Sequence, residues 1–502
     1  MRNKIIVIGS GFSSLSAACY LAKSGFSVTV LERHSVAGGR ARTLKKNGFQ
    51  FDMGPTWYWM PDIFRNFFND FGKSTTDYFE LHRLDPAYEV FFPKKRHIVI
   101  DSGLGKIIDS FERYEPGCQL SLEKYMKSAK KNYQIAMNKI VYRPSLSPWD
   151  LMTVDTILNL KHFIQNVKKL AHKTVKNPDL RLVLQFPSLF LGAKPSKTPS
   201  FFNFMNHADF DLGTWYPKGG MVSVVQAMVK LAESLGVQFK FNTTVQKIVP
   251  NNNEAVSGVL INDEFHQTDI IVSGADYQHT ESLLEKRYRT YSSKYWDKRV
   301  FAPSALLFYL GFDTRFKGVM HHSLFFDVDF DAHLNSIYGK PKWPSKPMFY
   351  ANFPSVTDSK VAPRGKESCV LLVPIASGLK SDKRQQTRIF NQIINRMEKR
   401  LNLSLKDHIV LKEIYSVDDF KSDYSSTKGN AYGLATTLNQ IGFMRPKLKS
   451  KKLKNLYFTG QLTVPGPGVP PALISGKIVG EYIASKHGRQ LPMGNQKMSP
   501  LE

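Results

Sequence analysis

Residues 4–31 constrain the fold of this chain more than any other stretch. Lys4 to Ile8 is a short apolar run of the buried-strand type, Gly9-Ser10-Gly11 interrupts it, and apolar residues return at helical spacing from Ser13 to Ser24. Gly25 stops that helix, and Ser27 to Leu31 makes a second β-type run. Strand, glycine turn, helix and strand form the opening of a dinucleotide-binding unit. Gly9 permits the tight turn and Gly11 lets the backbone close on a diphosphate, while Phe12, Ser13 and Ser14 open the helix whose N-terminus faces it. Ser14 stands where the fingerprint has its third glycine, and it is small enough for close helix–strand packing. Glu32 ends the second strand about 20 residues after the turn, where a carboxylate accepts from ribose hydroxyls and repels a 2′-phosphate. FAD or NAD is therefore expected rather than NADP.

Similar pieces recur in the middle and at the end. Met221 to Leu235 has helical periodicity, Gly236 ends it, and Val237 to Phe241, Val245 to Val249 and Asp269 to Ser273 read as strands. Ala305 to Leu310 and Val370 to Val373 are β-rich, and residues 119–175 are mainly helical in pattern, with Pro144 and Pro148 marking a break. The last ordered block is a strand from Leu456 to Thr459, a Gly/Pro loop, and a helix from Ala472 to His487. At 502 residues the chain exceeds what one core organises. The spacing predicts an α/β protein whose dinucleotide domain is assembled from separated segments around an inserted second domain.

Arg33 to Thr43 separates FAD from NAD. Its Arg33, Gly38, Gly39 and Arg40 resemble the second motif of the amine-oxidase-like flavoproteins, whose Gly-Gly turn passes the cofactor's diphosphate and flavin side. Phe51-Asp52-Met53-Gly54-Pro55-Thr56 follows, and with it the chain resembles the carotenoid desaturases. Further phrases come in the expected order: Gly213-Thr214-Trp215-Tyr216-Pro217-Lys218-Gly219-Gly220-Met221, then Ser273-Gly274-Ala275-Asp276, then His321-His322-Ser323 with Phe325-Phe326-Asp327, then Ala362-Pro363-Arg364-Gly365. The last is Leu456 to Pro470, a loop that in this family passes over the flavin and feeds a helix N-terminus toward it. Within the family the phrases are most similar to the bacterial-type phytoene desaturases.

The resemblance implies a Rossmann-like FAD domain from segments 1–85, 219–280 and 425–490, and a mixed-sheet substrate domain over 281–424. It places a helical, membrane-contacting portion within 86–218, and 491–502 reads as a frayed tail. It also implies FAD contacts at Val245, Gly460, Gln461, Gly468, Val469 and Pro470, with Gln461 where many flavoproteins place an acid. The implied reaction is successive dehydrogenation of a C40 polyene, phytoene toward lycopene, by hydride transfer from an allylic carbon to the flavin and proton loss beside it. A hydroxycarotenoid 3,4-desaturase or a C30 diapophytoene desaturase would share most of these phrases. The electron acceptor is expected to be oxygen or a quinone. An apolar substrate calls for an apolar tunnel, for which Trp57, Tyr58, Trp59, Phe186, Phe190, Phe201, Phe202 and Phe204 are candidates. Asp209, Asp211 and His207 are candidate acid–base groups, with capping or loop hydrogen bonding as the competing role.

Charge narrows the partners. Lys and Arg number 69 against 42 Asp and Glu, a net +27, which favours an anionic surface. A nucleic-acid-binding protein would need a groove-entering helix or a stacking module with clustered Arg, and neither is found. Leu158 to Lys176 sets Leu160, Ile164, Val167, Leu170 and Ala171 on one face with lysines around them, the pattern of a helix lying in a headgroup layer. No apolar stretch is long enough to span a bilayer, and no signal peptide is read, so the expected location is peripheral, on the cytoplasmic side of a membrane. Three cysteines, Cys19, Cys118 and Cys369, form neither a paired framework nor a metal-ligand pattern.

Overall fold

The computed structural model describes residues 3–147 and 164–489. Its first sheet has five parallel strands in the order Leu456–Phe458, Ile270–Ser273, Lys4–Ile8, Ser27–Leu31, Gln238–Lys240. One sheet thus takes strands from the beginning, middle and end of the chain. The central strand alternates strictly. Ile5 and Val7 pack with the helices on one face, while Ile6 and Ile8 pack with a three-stranded antiparallel sheet (Lys247–Pro250, Val256–Ile261, Glu264–Gln267) on the other. Both faces are covered, as a parallel sheet requires.

The helix Phe12–Lys23 is crossed by the last helix, Val469–Lys486. That crossing depends on Gly476, where a Cβ would stand 2.3 Å from the Ser13 carbonyl oxygen, and on Gly480, where it would stand 2.7 Å from Tyr20 Cβ. The Ser16 hydroxyl ties the pair by donating to the Leu473 carbonyl at 2.8 Å. The helix expected to start at Ala472 begins earlier, at Val469, because Pro470 and Pro471 suit a first helical turn that needs no N–H partners.

The second sheet has seven strands in the order Ile409–Tyr415, Ser304–Phe312, Glu367–Ile375, Phe349–Asn352, His322–Phe325, Tyr88–Phe91, His97–Ile100. It is antiparallel except where His322–Phe325 runs parallel to Tyr88–Phe91. Every residue of Ser304–Phe312 is buried. Leu306, Phe308 and Leu310 face the helix Lys383–Leu401, and Ala305 and Leu307 face the opposite way, into the cavity described below. On that cavity side lie Met137 and Val141, the helical turn Phe186–Leu191 and the helix Phe204–Phe210.

The amphipathic stretch is not one helix over its described part. Residues 158–163, with Leu160 and Lys161, lie outside the described residues. Asn166 starts a fresh helix, Val167–Thr174, its side chain accepting from Lys169 N at 2.8 Å. Val167 is buried, Ala171 belongs to the main core and Leu170 packs against it, so that apolar face is spent on the protein's own interior, while among its described residues Ile164, 76 % exposed, is presented outward. No described helix is long and apolar enough to cross a membrane.

Candidate active site

One cavity joins the edge of the parallel sheet to the face of the mixed sheet. At the sheet end it is lined by Gly9, Gly11, Phe12, Ser13, Glu32, Arg33, Gly38, Gly39, Arg40 and Val245, and by Gly460, Gln461, Gly468, Val469 and Pro470 from the C-terminal loop. The residues expected to hold FAD are therefore brought together, with the exception of Ser14. That hydroxyl is turned inward against Gly274, whose absent side chain leaves it room: a Cβ there would stand 2.0 Å from Ser14 Oγ.

The backbone explains the cradle. Gly9 has φ +88°, and a Cβ on Gly39 would come within 3.3 Å of Gly11 Cα, so the two glycine turns meet. An added Cβ on Gly11 would touch nothing within 4 Å; it points into open cavity. The Glu32 carboxylate accepts from Ser10 N at 2.9 Å, Ser10 Oγ at 2.6 Å and His34 N at 3.0 Å, which fixes it at the cavity wall with lone pairs to spare. Open space beside a helix N-terminus, an oriented carboxylate and small-residue walls fit the diphosphate and ribose of FAD.

Arg33 and Arg40 line this end, but their guanidinium groups are tied to the segment 422–430. Arg33 donates to Ser425 Oγ at 3.0 Å and to the Ser422 carbonyl, and Arg40 to Ser426 Oγ at 3.2 Å and the Asn430 carbonyl at 3.3 Å. Gln461 also faces the cavity. Its carbonyl accepts at 3.2 Å from Arg445, a fully buried guanidinium that also donates to the Leu434 carbonyl. Burial pushes Arg445 down to about 10. Arg445 heads a lysine-rich stretch of the chain, yet its side chain is an internal clamp on the loop that carries Gln461.

Pro470 and Pro471 leave the last helix with Val469 N–H as its free first-turn donor beside the cavity, and no acidic side chain opposes the helix dipole there. Thr243, Thr244, Gly274, Ala275 and Asp276 complete this end. The strand-end motif Ser273 to Asp276 was legible in the sequence, but its facing the same space as Gly11 was not.

The far end is apolar. Trp57, Trp59, Phe186, Phe190, Phe202 and Phe204 line it from the roof, and Ala305, Leu307, Leu324, Met348 and Leu372 from the sheet. Tyr58 points away and stacks on Phe64, as an extended backbone alternating between Trp57 and Trp59 requires, and Phe201 lines a neighbouring groove instead. Among the cavity's polar atoms are Thr56 Oγ1 and Tyr350 Oη, 2.8 Å apart, and Tyr350 Oη lies 2.7 Å from His322 Nδ1.

The acid–base candidates do not reach the cavity. Asp209 is buried behind the Trp59 wall, accepting from Tyr88 Oη at 2.6 Å and Thr214 Oγ1 at 3.4 Å, and Trp59 Nε1 in turn donates to Thr214 at 2.8 Å. His207 and Asp211 pair with each other at 3.0 Å, one helical turn apart. These groups brace the wall. Burial raises the Asp209 carboxyl to about 7. A folded-state value above the unfolded one means that its contribution is fully present below about pH 4 and lost as pH rises through about 7, at most about 4 kcal/mol. Asp209→Asn, neutral at every pH, is expected to lose less stability than the parent between pH 5 and pH 8; thermal melts at the two values measure it, and equal losses would refute it.

The chain matches the model of the flavin-containing amine oxidoreductases over residues 12–484. It is 39 % identical over 486 residues to a carotenoid 3,4-desaturase of Haloarcula japonica, covering 95 % of this chain and 97 % of that one. It is 30 % identical over 502 residues to a 4,4′-diapophytoene desaturase (4,4′-diaponeurosporene-forming) of Staphylococcus haemolyticus, covering 97 % and 100 %. The fold is shared with an oxidoreductase of Methanosarcina mazei at a TM-score of 0.64, with 17 % identity over 95 % of this chain and all of that one.

Proposed function

Because this chain belongs to the flavin-containing amine oxidoreductases and, within them, to the FAD-dependent carotenoid desaturases, we propose that it dehydrogenates an acyclic carotenoid at the 3,4 position. The sequence phrases alone put phytoene first, with a hydroxycarotenoid 3,4-desaturase or a C30 diapophytoene desaturase as alternatives. The higher identity to the 3,4-desaturase, over nearly the whole chain, supports the 3,4 reading over both phytoene and the C30 alternative. The observation that carries the enzymatic reading is the single cavity, a glycine cradle at one end and an aromatic, aliphatic gallery at the other.

When bound, FAD supplies the two-electron acceptor for the reaction. The chain's own residues do the rest. The gallery excludes water and aligns a substrate that has no polar handle along its conjugated length, and the faces of Trp57 and Phe190 stabilise positive charge developing on it. Oxygen or a quinone is proposed as the final electron acceptor. The test is to incubate the purified flavoprotein with hydroxylated acyclic carotenoids, phytoene and a C30 polyene, and to follow absorption and mass. A product lacking two hydrogens at the 3,4 bond is expected; conversion of phytoene or the C30 polyene alone would overturn the 3,4 assignment.

The substrate's route supports a membrane-surface enzyme. A second groove shares Val141, Phe202, Phe204 and Tyr338 with the cavity and opens outward past Ile164, Val300 and Leu438, with Arg143, Lys194 and Lys197 in its walls. Apolar residues at 76 %, 44 % and 52 % exposure beside cations fit a mouth resting on an anionic bilayer. Flotation with anionic vesicles is expected to carry the protein upward at low salt and to weaken as salt screens the cations. Equal flotation with neutral vesicles would remove the electrostatic part.

A further inference from the structure

We propose that Thr56 and Tyr350 take the proton that the substrate releases, and that His322 behind them stores it. The inference rests on the desaturase reading and deepens it: it names the base that the sequence left unassigned. Three observations carry it.

The first is direction. His322 Nδ1 meets Tyr350 Oη at 2.7 Å and Asn352 Nδ2 at 3.4 Å, and Asn352 also donates to the His321 carbonyl at 3.0 Å. We assign Nδ1 as the acceptor because the Asn352 amide N–H is directed at it, and the ring proton then stands on Nε2, a buried atom with no hydrogen-bond partner among the described residues. Tyr350 then donates to His322, and its oxygen accepts from Thr56 at 2.8 Å. The chain of hydroxyls runs one way, from the cavity to an imidazole lone pair.

The second is access. Thr56 and Tyr350 line the cavity where its glycine cradle meets the gallery, and His322 lies behind them, fully buried. Gly54, two residues before Thr56, packs on the second glycine turn, where a Cβ would strike the Arg40 carbonyl oxygen at 2.3 Å, and Thr56 lines the same cavity as that turn.

The third is what receives the charge. The His322 ring stacks on Trp57 with centroids 4.2 Å apart and planes 8° from parallel, so a proton arriving on the imidazole is met by an indole face. Burial, reinforced by neighbouring His321, holds His322 neutral, well below the usual imidazole range. So weak a base would be useless toward an ordinary C–H bond. It suffices here because the carbon losing the proton adjoins one losing a hydride, and a hydrogen next to a developing carbocation is strongly acidic.

The balance closes. One C–H bond breaks with its electron pair passing to the oxidised flavin. The neighbouring C–H proton goes to the Thr56–Tyr350 chain, its bonding pair becoming the new C=C bond. The chain passes a proton to His322 Nδ1, and that proton leaves with the two electrons when a quinone or dioxygen, which takes up two electrons and two protons, reoxidises the cofactor. Thr56 and Tyr350 are the proton-accepting residues, and His322 is a positioning residue that acts through them.

The test mixes FAD-loaded protein anaerobically with a convertible polyene and follows flavin bleaching. Tyr350→Phe and Thr56→Val are expected to keep FAD and its visible spectrum while bleaching falls roughly 100-fold. Deuterium at the proton-losing carbon should slow both variants more than the parent, and their products should include isomerised or water-added polyenes. His322→Gln should show the same product shift. Unchanged bleaching in both cavity variants, or slower bleaching with a clean product and an unaltered isotope effect, would overturn the proposal. If Tyr350→Phe loses FAD, Thr56→Val decides alone. Failure of the parent to bleach with any polyene would defeat the desaturase reading itself, and this inference with it.

Discussion

Gly11→Val is expected to give a folded protein that cannot hold FAD. Gly11 has φ −71° and ψ 172°, an extended conformation open to any residue, and no atom lies within 4 Å of the position its Cβ would take. The valine therefore strains nothing in the empty protein. Its methyl groups stand in the space where a diphosphate must approach the backbone at the start of the helix Phe12–Lys23. We expect FAD affinity to fall by roughly 100-fold or more, about 2.7 kcal/mol, with the melting of the FAD-free protein nearly unchanged. Flavin absorbance after gel filtration and a melt of the stripped protein measure the two halves. A yellow variant would mean that the diphosphate passes elsewhere.

Gly476→Val is expected to fail in the opposite way, by unfolding. Here the new Cβ would stand 2.3 Å from the Ser13 carbonyl oxygen, 2.5 Å from Ser16 Cβ and 2.7 Å from Ala17 N. Two of those atoms are backbone of the first helix and cannot rotate aside, so the helices must separate. A cost of about 3 kcal/mol or more is expected. FAD should be lost as well, because Ser475, next in the chain, accepts from Gly460 N at 2.9 Å and thereby anchors the cofactor loop. Chemical denaturation of the FAD-free variant reads the cost directly; a midpoint equal to the parent's would show that the crossing has slack. The two glycines separate a residue kept small for a ligand from one kept small for another helix.

The cradle was legible because each part of it is local. Gly9 and Gly11 lie between an apolar run and a helical pattern, Glu32 ends the next strand, and Gly38-Gly39 follows six residues later. A reader of neighbouring residues sees all of these. Trp57 and Trp59 facing the cavity while Tyr58 turns away also follows from the period of an extended strand. For Asp209, Asp211 and His207 the residue type near a family motif carries no sign of depth: none lines the cavity, and Trp59, its indole donating to Thr214, stands on the cavity side of Asp209.

Arg445 illustrates the same boundary. In the chain it precedes a row of lysines and reads as surface; in the fold the carbonyls of Leu434 and Gln461 converge on it, and it is 2 % exposed. The strand Tyr88–Phe91 joins the mixed sheet beside His322–Phe325, more than two hundred residues away in the chain, and no periodicity within either announces the pairing.

Local pattern by itself determined that this chain begins with a dinucleotide-type unit, with an acid at the end of its second strand and glycine turns on either side of it. Only the tertiary structure decided which hydroxyls stand at the cavity wall, because Thr56 and Tyr350 come from separate stretches and the register of His322–Phe325 against Phe349–Asn352 sets His322 behind Tyr350. Periodicity records which face of an element is buried. What that face meets is set by the closing of the two sheets on one another, a long-range packing choice that no single stretch encodes.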